Sequence, residues 1–259
     1  MHPDFQLTKW YLDAVSATGE AFIVYWAELR WWRLSGHYAA VVSLENGAPH
    51  ERASLLPGPA PRLDSDSVSF GCPGLELEGR WSGPFAAAGP QTLLERGGRT
   101  LVWECLQPLA EVELRLGERT VRALGYTERV TLSLPPWELP IDELRWGRAH
   151  AGGRSVVWVD WTGEPAFHLV LVDGVPRAGG RASDEEVRAE GARLSFSTPR
   201  SLRTGPVAGS SLGRVPGLAT VLSSAGLLID EHKWVARASL ELDSSTEEGV
   251  ALYEVVRWR

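Results

Sequence analysis

The sequence predicts an all-β protein made of two tandem lobes of antiparallel strands, with few or no helices. Short runs of alternating apolar and polar residues recur along the 259 residues and are separated by glycine, proline and Asn-Gly turn signals. Most of the twelve tryptophans fall within these runs, where indole rings fit a half-buried sheet face. Strands and helical segments do not alternate regularly, which excludes a Rossmann or TIM-barrel arrangement.

The first lobe is predicted to span residues 1–134. Its opening strands are expected at 5–16, 21–33 and 35–44. Asn46-Gly47 then marks a hairpin turn, because both residues tolerate positive φ. Residues 48–66 contain four prolines and are predicted to form a surface loop or a lid over a cavity mouth. The remaining expected strands are 67–71, 74–82, 91–96, 99–106, a hairpin over 109–123 and the strand 124–134.

A proline-rich connector at 135–142 is predicted to separate the lobes, because proline fixes φ and cannot donate to a central ladder. The second lobe, 143–259, is expected to contain strands at 143–148, 154–161, 165–173, 192–198, 217–230, 232–242 and 249–258. Residues 176–190 are expected to be a loop or one short helix, and 199–216 an irregular loop. Tyr126-Thr-Glu128 and Leu252-Tyr253-Glu254 form a faint repeat that supports tandem lobes.

Composition excludes several classes of function. The net charge of −7, without a cluster of basic residues, argues against nucleic acid as a partner. No signal-peptide pattern and no run of 18 apolar residues is present, so we expect a cytoplasmic chain without a membrane span. Cys72 and Cys105 could pair, but buried free thiols are favoured. Spacings typical of metal ligands, a Walker loop or a G-x-S-x-G elbow are absent, so no metal or other cofactor is predicted.

The strand 124–134 carries the main candidate for chemistry. Side chains alternate along a strand, so Glu128 shares one face with apolar and aromatic residues, namely Leu124, Tyr126, Val130 and Leu132. That face is expected to point inward, where a carboxyl group must be paired, hydrogen-bonded or protonated. Arg148, in phase with Leu144 and Trp146, is the nearest cationic candidate. Two interpretations stay open: a structural Glu128–Arg148 pair that closes a barrel end, or a pocket acid.

Four short segments resemble one known family. G-Y-x-E at Gly125–Glu128, P-P-W-x-L-P at Pro135–Pro140, L-x-W-G-R at Leu144–Arg148 and W-x-C-x-x-P at Trp103–Pro108 are similar to the lipocalin-like hydroxyneurosporene synthase (carotenoid 1,2-hydratase) family. That family includes uncharacterised bacterial members and fungal Diels–Alderase-type relatives. The resemblance covers residues 100–165 and extends to 9–15. It implies lipocalin-like (calycin-type) barrels that hold a hydrophobic terpenoid, polyene or polyketide-like molecule.

On this interpretation, Glu128 and Arg148 are the catalytic candidates. Hydration of an alkene would use Glu128 as the acid, with Asp160, Glu104 and Glu254 as the next candidates. Cyclisation would use Arg148, Tyr126 and Trp146. The residues expected to line the ligand pocket are aromatic or ionisable: Tyr25, His37, Trp103, Tyr126, Trp137, Trp146, Asp160, Tyr253 and Glu254.

Two other functions remain open. A non-catalytic lipocalin-like carrier or sensor would keep the aromatic lining and use Glu128 and Arg148 only as a structural bridge. A carbohydrate-binding β-sandwich would place tryptophans on exposed loops, whereas here most tryptophans lie in alternating runs. The sequence leaves the ligand and the oligomeric state undetermined.

Overall fold

The computed structural model describes residues 5–206 and 229–258. They form two compact units: residues 5–139, and residues 140–206 with 229–258. Each unit contains one antiparallel sheet. The prediction of an all-β fold is confirmed. Apart from β-strands, the regular elements of the described residues are two 3-10 turns, Pro73–Leu75 and Pro136–Glu138. Most of the strand predicted at 217–230 lies outside the described residues.

The sheet of the first unit has ten strands. They are β1 (Phe5–Ser16), β2 (Ala21–Trp31), β3 (Leu34–Glu45), β4 (Ala48–Ser54), β5 (Arg62–Leu63), β6 (Ser67–Cys72), β7 (Leu77–Ser82), β8 (Gln91–Arg96), β9 (Arg99–Leu116) and β10 (Arg119–Leu132). The strand order is β4-β3-β2-β1-β10-β9-β7-β6-β5, and β8 also pairs with β9.

A large hydrophobic core cluster of the first unit lies on one face of this sheet. Trp10, Leu12 and Ala14 point to it from alternate positions of β1, as the period of two requires. Trp81 is fully buried there, and its indole nitrogen donates a hydrogen bond to the backbone oxygen of Asp13 at 2.7 Å. The buried indole therefore fixes β7 against β1 by packing and by one directed bond.

The structure corrects two predictions for the first lobe. Residues 48–66 are not a loop throughout, because β4 pairs with β3 across the Asn46-Gly47 turn. The sequence did not indicate this strand because it contains Pro49, which lacks a backbone N–H donor. That donor can be missing in β4 because β4 is the end strand of its sheet. The strand predicted at 21–33 ends at Trp31, because Trp32 takes a φ of 55° in the turn to β3.

The sheet of the second unit has nine strands. They are β11 (Ile141–Ala151), β12 (Arg154–Gly163), β13 (Phe167–Val172), β14 (Val175–Arg177), β15 (Arg181–Ala182), β16 (Glu186–Ala189), β17 (Ala192–Pro206), β18 (Ile229–Leu242) and β19 (Ser245–Trp258). The order is β14-β13-β12-β11-β19-β18-β17-β16-β15. The sheet curls so that β15 approaches β12, where the backbone N–H of Ala182 donates to Asp160 at 2.6 Å.

The prediction of a loop or short helix at 176–190 is wrong, because that segment contains β14, β15 and β16. Two to four residues are too few for alternation to be visible in a sequence. The strand predicted at 192–198 continues to Pro206, so residues 199–206 are not irregular, and 207–216 lie outside the described residues. The core of this unit is built from Ala149, Trp158, Val170, Ala236 and their neighbours inside the curled sheet.

Candidate functional site

The face of the first sheet opposite its core is also buried, and it carries polar and aromatic side chains. Glu128 on β10 lies opposite Tyr11 on β1 and Cys105 on β9, and Tyr11 lies opposite Tyr25 on β2. We call the buried residues Tyr11, Tyr25, Trp103, Cys105, Tyr126 and Glu128 the Glu128 cluster. A carboxyl group that is only 6% exposed among phenols and an indole makes this cluster the candidate site.

Two side chains hold the carboxyl group of Glu128 in place. The indole nitrogen of Trp103 and the hydroxyl of Tyr126 both donate to its Oε2 atom, the latter at 2.9 Å. The ring of Tyr11 meets those of Tyr126 and Tyr25 edge to face, with centroids 6.2 and 5.4 Å apart. These contacts orient the carboxyl group within an aromatic surface.

A cation adjoins the far side of this aromatic surface. Lys9 lies two positions before Tyr11 on the same face of β1, and its Nζ atom is 4.6 Å from the ring centroid of Tyr25. A cation over a ring is attracted by the ring quadrupole, which helps to fix the phenol ring in position.

Tyr126 and Cys105 of the cluster keep their protons at neutral pH. Burial, followed by the neighbouring Cys105 and Glu128, raises the pKa of Tyr126 well above its ordinary value. Burial is also the main cause that raises the pKa of the Cys105 thiol. A protonated, buried thiol is a poor nucleophile, so Cys105 is not suited to nucleophilic chemistry. Cys72 and Cys105 are both buried and free, as favoured from the sequence.

The sequence correctly placed Glu128 on a buried face of its strand, although the apolar cluster around Leu12 lies on the other face. Gly125 and Thr127, not Tyr126 and Glu128, lie opposite the core-facing residues Ala14 and Leu12 of β1. Leu124, expected to point inward, is 45% exposed. The pairing of β9 with β10 shifts register around Thr127, and both faces of the sheet are buried there. Alternation of apolar residues therefore does not identify the core face.

Two further predicted residues of the first unit have contacts of another kind. His37 is half-exposed, with its Nε2 atom 3.4 Å from Glu28 and its ring tilted against Trp26. Trp137 packs edge to face on Phe5 and Trp31, with centroids 6.0 and 5.4 Å away. His37 is therefore a partly exposed residue paired with Glu28, and Trp137 is a residue that packs against two aromatic rings.

Arg148 and Trp146 are buried neighbours on one face of β11 in the second unit. The Nη1 atom of Arg148 is 3.4 Å from Nδ1 of His150. Glu128 belongs to the first unit and Arg148 to the second, and their pairing stays a prediction.

Glu254 belongs to a charged network that the sequence did not reveal. The Nζ atom of Lys233 forms ion pairs with Glu254 and, at 2.9 Å, with Glu231, which also binds Arg203 at 2.6 Å. Lys233 follows the polar residues Asp230, Glu231 and His232 on β18, and the sequence did not indicate its burial because lysines are usually exposed.

Asp160 and Tyr253 lie on the core-facing side of the second sheet. Asp160 accepts a hydrogen bond from the backbone N–H of Ala182 and lies 2.8 Å from Nδ1 of His168. Tyr253 stacks on Phe196 with ring centroids 4.8 Å apart. The structure therefore brings Tyr25, Trp103, Tyr126 and Glu128 together in the first unit, but it divides the predicted residues of the second unit between two faces of their sheet.

Neither a protein-family model nor a curated protein sequence matches the chain. Solved structures are similar in fold. The crystal structure of CghA with Sch210972 has a TM-score of 0.61 and 14% identity, covering 98% of this chain and 88% of that one. Kievitone hydratase from Nectria haematococca has a TM-score of 0.53 and 12% identity, covering 98% and 89%. A putative AttH protein from Nitrosomonas europaea has a TM-score of 0.51 and 8% identity, covering 96% and 92%.

At these identities the likeness shows the fold alone. It supports the class predicted from the sequence, two tandem lipocalin-like lobes of antiparallel strands, and it supports the resemblance to the hydroxyneurosporene synthase family at the level of fold. In residues 5–206 and 229–258, no helix has the length and apolar character needed to cross a membrane. The same residues contain no group of three or more His, Cys, Asp or Glu side chains placed to hold a metal ion.

Proposed function

We propose that the protein binds a hydrophobic small molecule of the terpenoid, polyene or polyketide-like class, and that it catalyses hydration or cyclisation with Glu128 as the proton donor. The observation that carries this proposal is the buried carboxyl group of Glu128, which Trp103 and Tyr126 hold among aromatic rings. Structures of similar fold include a hydratase, which is compatible with this chemistry.

In hydration, the carboxylic acid of Glu128 donates its proton to one alkene carbon and forms a C–H bond. The positive charge that develops on the neighbouring carbon is stabilised by the faces of nearby phenol and indole rings, as in other cation–π contacts. A water molecule then forms the C–O bond and returns a proton to the carboxylate. In cyclisation, the same surface would act through shape and hydrogen bonding.

The Glu128→Gln substitution tests this proposal, because the amide oxygen can still accept the bonds of Trp103 and Tyr126. Glu104→Gln is the matched control, since Glu104 lies on the opposite face of β9 and pairs with Arg129 at 2.6 Å. Binding of retinol would be followed by quenching of tryptophan fluorescence. Conversion of farnesol and squalene in water enriched in heavy oxygen would be followed by mass spectrometry.

We expect Glu128→Gln to bind within about twofold of wild type and to lose at least about a hundredfold in turnover, as for other general acids. Glu104→Gln should retain both. Equal turnover by Glu128→Gln would refute the role of this carboxyl group.

A carrier is the second candidate, because a carboxyl group whose one oxygen accepts two hydrogen bonds also fits a purely structural role. Binding by wild type without product from any terpenoid or polyene tested would favour the carrier. Neither the enzyme proposal nor the carrier proposal uses Arg148 or Trp146, and the roles predicted for these two residues rest on the sequence.

A further inference from the structure

The face of the first sheet that carries Glu128 also carries an ammonium group. The side chains of Lys9 and Tyr11 point to this face from alternate positions of β1. Tyr11 lies directly between Tyr25 on β2 and Glu128 on β10. Lys9 lies one row away, opposite Val130 of β10. A basic and an acidic side chain therefore share one aromatic surface within the first unit.

A continuous chain of contacts joins the ammonium group to the carboxyl group. The Nζ atom of Lys9 lies 4.6 Å from the ring centroid of Tyr25, whose ring meets that of Tyr11 edge to face at 5.4 Å. Tyr11 in turn meets Tyr126 at 6.2 Å, and the hydroxyl of Tyr126 donates to Glu128 at 2.9 Å. The three phenol rings therefore form an aromatic floor between a cation and a carboxyl group.

The register of the strands sets the length of this floor. Tyr25 and Glu128 lie on either side of Tyr11, so two strand spacings separate them, about 10 Å in all. Because the ammonium group of Lys9 lies over the ring of Tyr25, it is about this far from the carboxyl group of Glu128. The span suits an elongated molecule with a polar group at one end.

The charges on this face favour an anion at the Lys9 end. A tyrosine ring attracts an ammonium group but does not neutralise its charge. Lys9 is half-buried, so part of its side chain is accessible to a ligand. The buried carboxyl groups of Glu128 and Asp13 lie in the row of Tyr11 and in the next row beyond it, farther along β1 than Lys9. An anionic group is therefore attracted to the Lys9 end, away from both carboxyl groups.

We propose that the Glu128 site takes an elongated, unsaturated carboxylic acid, and that Lys9 is the residue that selects its carboxylate. The inference rests on the proposed function, because it narrows the terpenoid, polyene or polyketide-like class to its acids. The carboxylate pairs with the ammonium group of Lys9 beside Tyr25, and the hydrocarbon chain crosses the phenol rings. A double bond remote from the carboxylate then lies at Glu128. A neutral alcohol of the same length lacks the ion pair.

Retinoic acid and retinol test this selection, because they share one hydrocarbon chain and differ in the terminal group. Their dissociation constants for the full chain are measured by quenching of tryptophan fluorescence at mildly alkaline pH, where retinoic acid is ionised. Wild type should bind retinoic acid about tenfold more tightly than retinol, as expected for a hydrogen bond between charged groups. Added salt should reduce this ratio, because it screens the ion pair.

Four variants separate Lys9 from other causes. Lys9→Met removes the charge and keeps the length of the side chain, so the two dissociation constants should come within about twofold of each other. Lys9→Arg keeps the charge and should keep the preference for the acid. Arg115→Met, in the exposed ion pair with Glu78, is the matched control and should keep the wild-type ratio. Glu128→Gln should also keep the preference, because the carboxylate binds at the other end of the floor.

The inference is overturned if wild type binds the two retinoids equally, or if Lys9→Met keeps the preference for the acid. Either result leaves binding of a hydrophobic molecule intact and differs from failure of the proposed chemistry, in which Glu128→Gln keeps wild-type turnover. Absence of binding by either retinoid would overturn this inference together with the hydrophobic ligand. If Lys9→Met does not fold, as judged by near-ultraviolet circular dichroism, Lys9→Gln decides the matter by the same ratio.

Discussion

Gly147 permits the close approach of Trp158 and Tyr253 across β11, and Gly147→Ala should therefore be strongly destabilising. A Cβ atom at this position would lie 2.3 Å from Cζ2 of Trp158 and 2.6 Å from Cβ of Tyr253, well inside van der Waals contact. Both neighbours are buried, so neither can move freely. Overpacking of this kind costs about 1–3 kcal/mol, and replacing glycine in an extended strand returns less than about 1 kcal/mol.

We expect a loss of about 2 kcal/mol and a fall in Tm of roughly 4–8 °C for a chain of this size. Thermal and urea unfolding by circular dichroism would measure it. Gly71→Ala on β6 is the matched control, because its Cβ would meet its nearest atoms at 3.7 Å, an ordinary contact. A Gly147→Ala variant as stable as Gly71→Ala would refute the close approach of Trp158 and Tyr253 across β11.

Further changes test the buried groups. Trp81→Phe should lower the free energy of unfolding, measured in urea, by about 2–3 kcal/mol, because it removes a buried hydrogen bond and leaves a void. Trp32→Phe, at a residue that is 76% exposed, should change it by less than about 0.5 kcal/mol. Lys233→Met should lower the free energy of unfolding by about 3–5 kcal/mol, because it removes the ion-pair partner of two glutamates. Arg115→Met, in an exposed ion pair, should lower it by less than about 1 kcal/mol. Equal losses for the two variants would contradict the buried network. Because burial raises the pKa of Cys105, the unfolded chain binds fewer protons than the folded one above pH ~8.5. Stability should therefore fall between about pH 8.5 and 10, with a slope that approaches about 1.4 kcal/mol per pH unit, and Cys105→Ala should remove this fall in urea unfolding followed against pH.

The sequence predicted the fold class well because long strands carry strong local signals. The alternation in β1 and the Asn46-Gly47 turn suffice to place the first hairpins. Short strands failed for the opposite reason: β14, β15 and β16 depend on tertiary pairing rather than on a pattern of their own.

The sites were only partly predictable. Glu128 could be found, because a carboxyl group in a run of buried residues is conspicuous. Its partner Trp103 comes from β9, 25 positions away, and the bond depends on the register of two strands. The Asp160–His168 dyad likewise requires the pairing of β12 with β13, since neither residue lies in a local motif.

The proton that Glu128 is proposed to donate can be followed directly in heavy water. A wild-type reaction on farnesol or squalene in D₂O should place one carbon-bound deuterium in each product molecule hydrated at one double bond, seen by mass spectrometry and NMR. Glu128→Gln should form no such product while still binding the substrate. Deuterated product formed at the wild-type rate by Glu128→Gln would show that another group supplies the proton, and would contradict the role assigned to this buried carboxyl group.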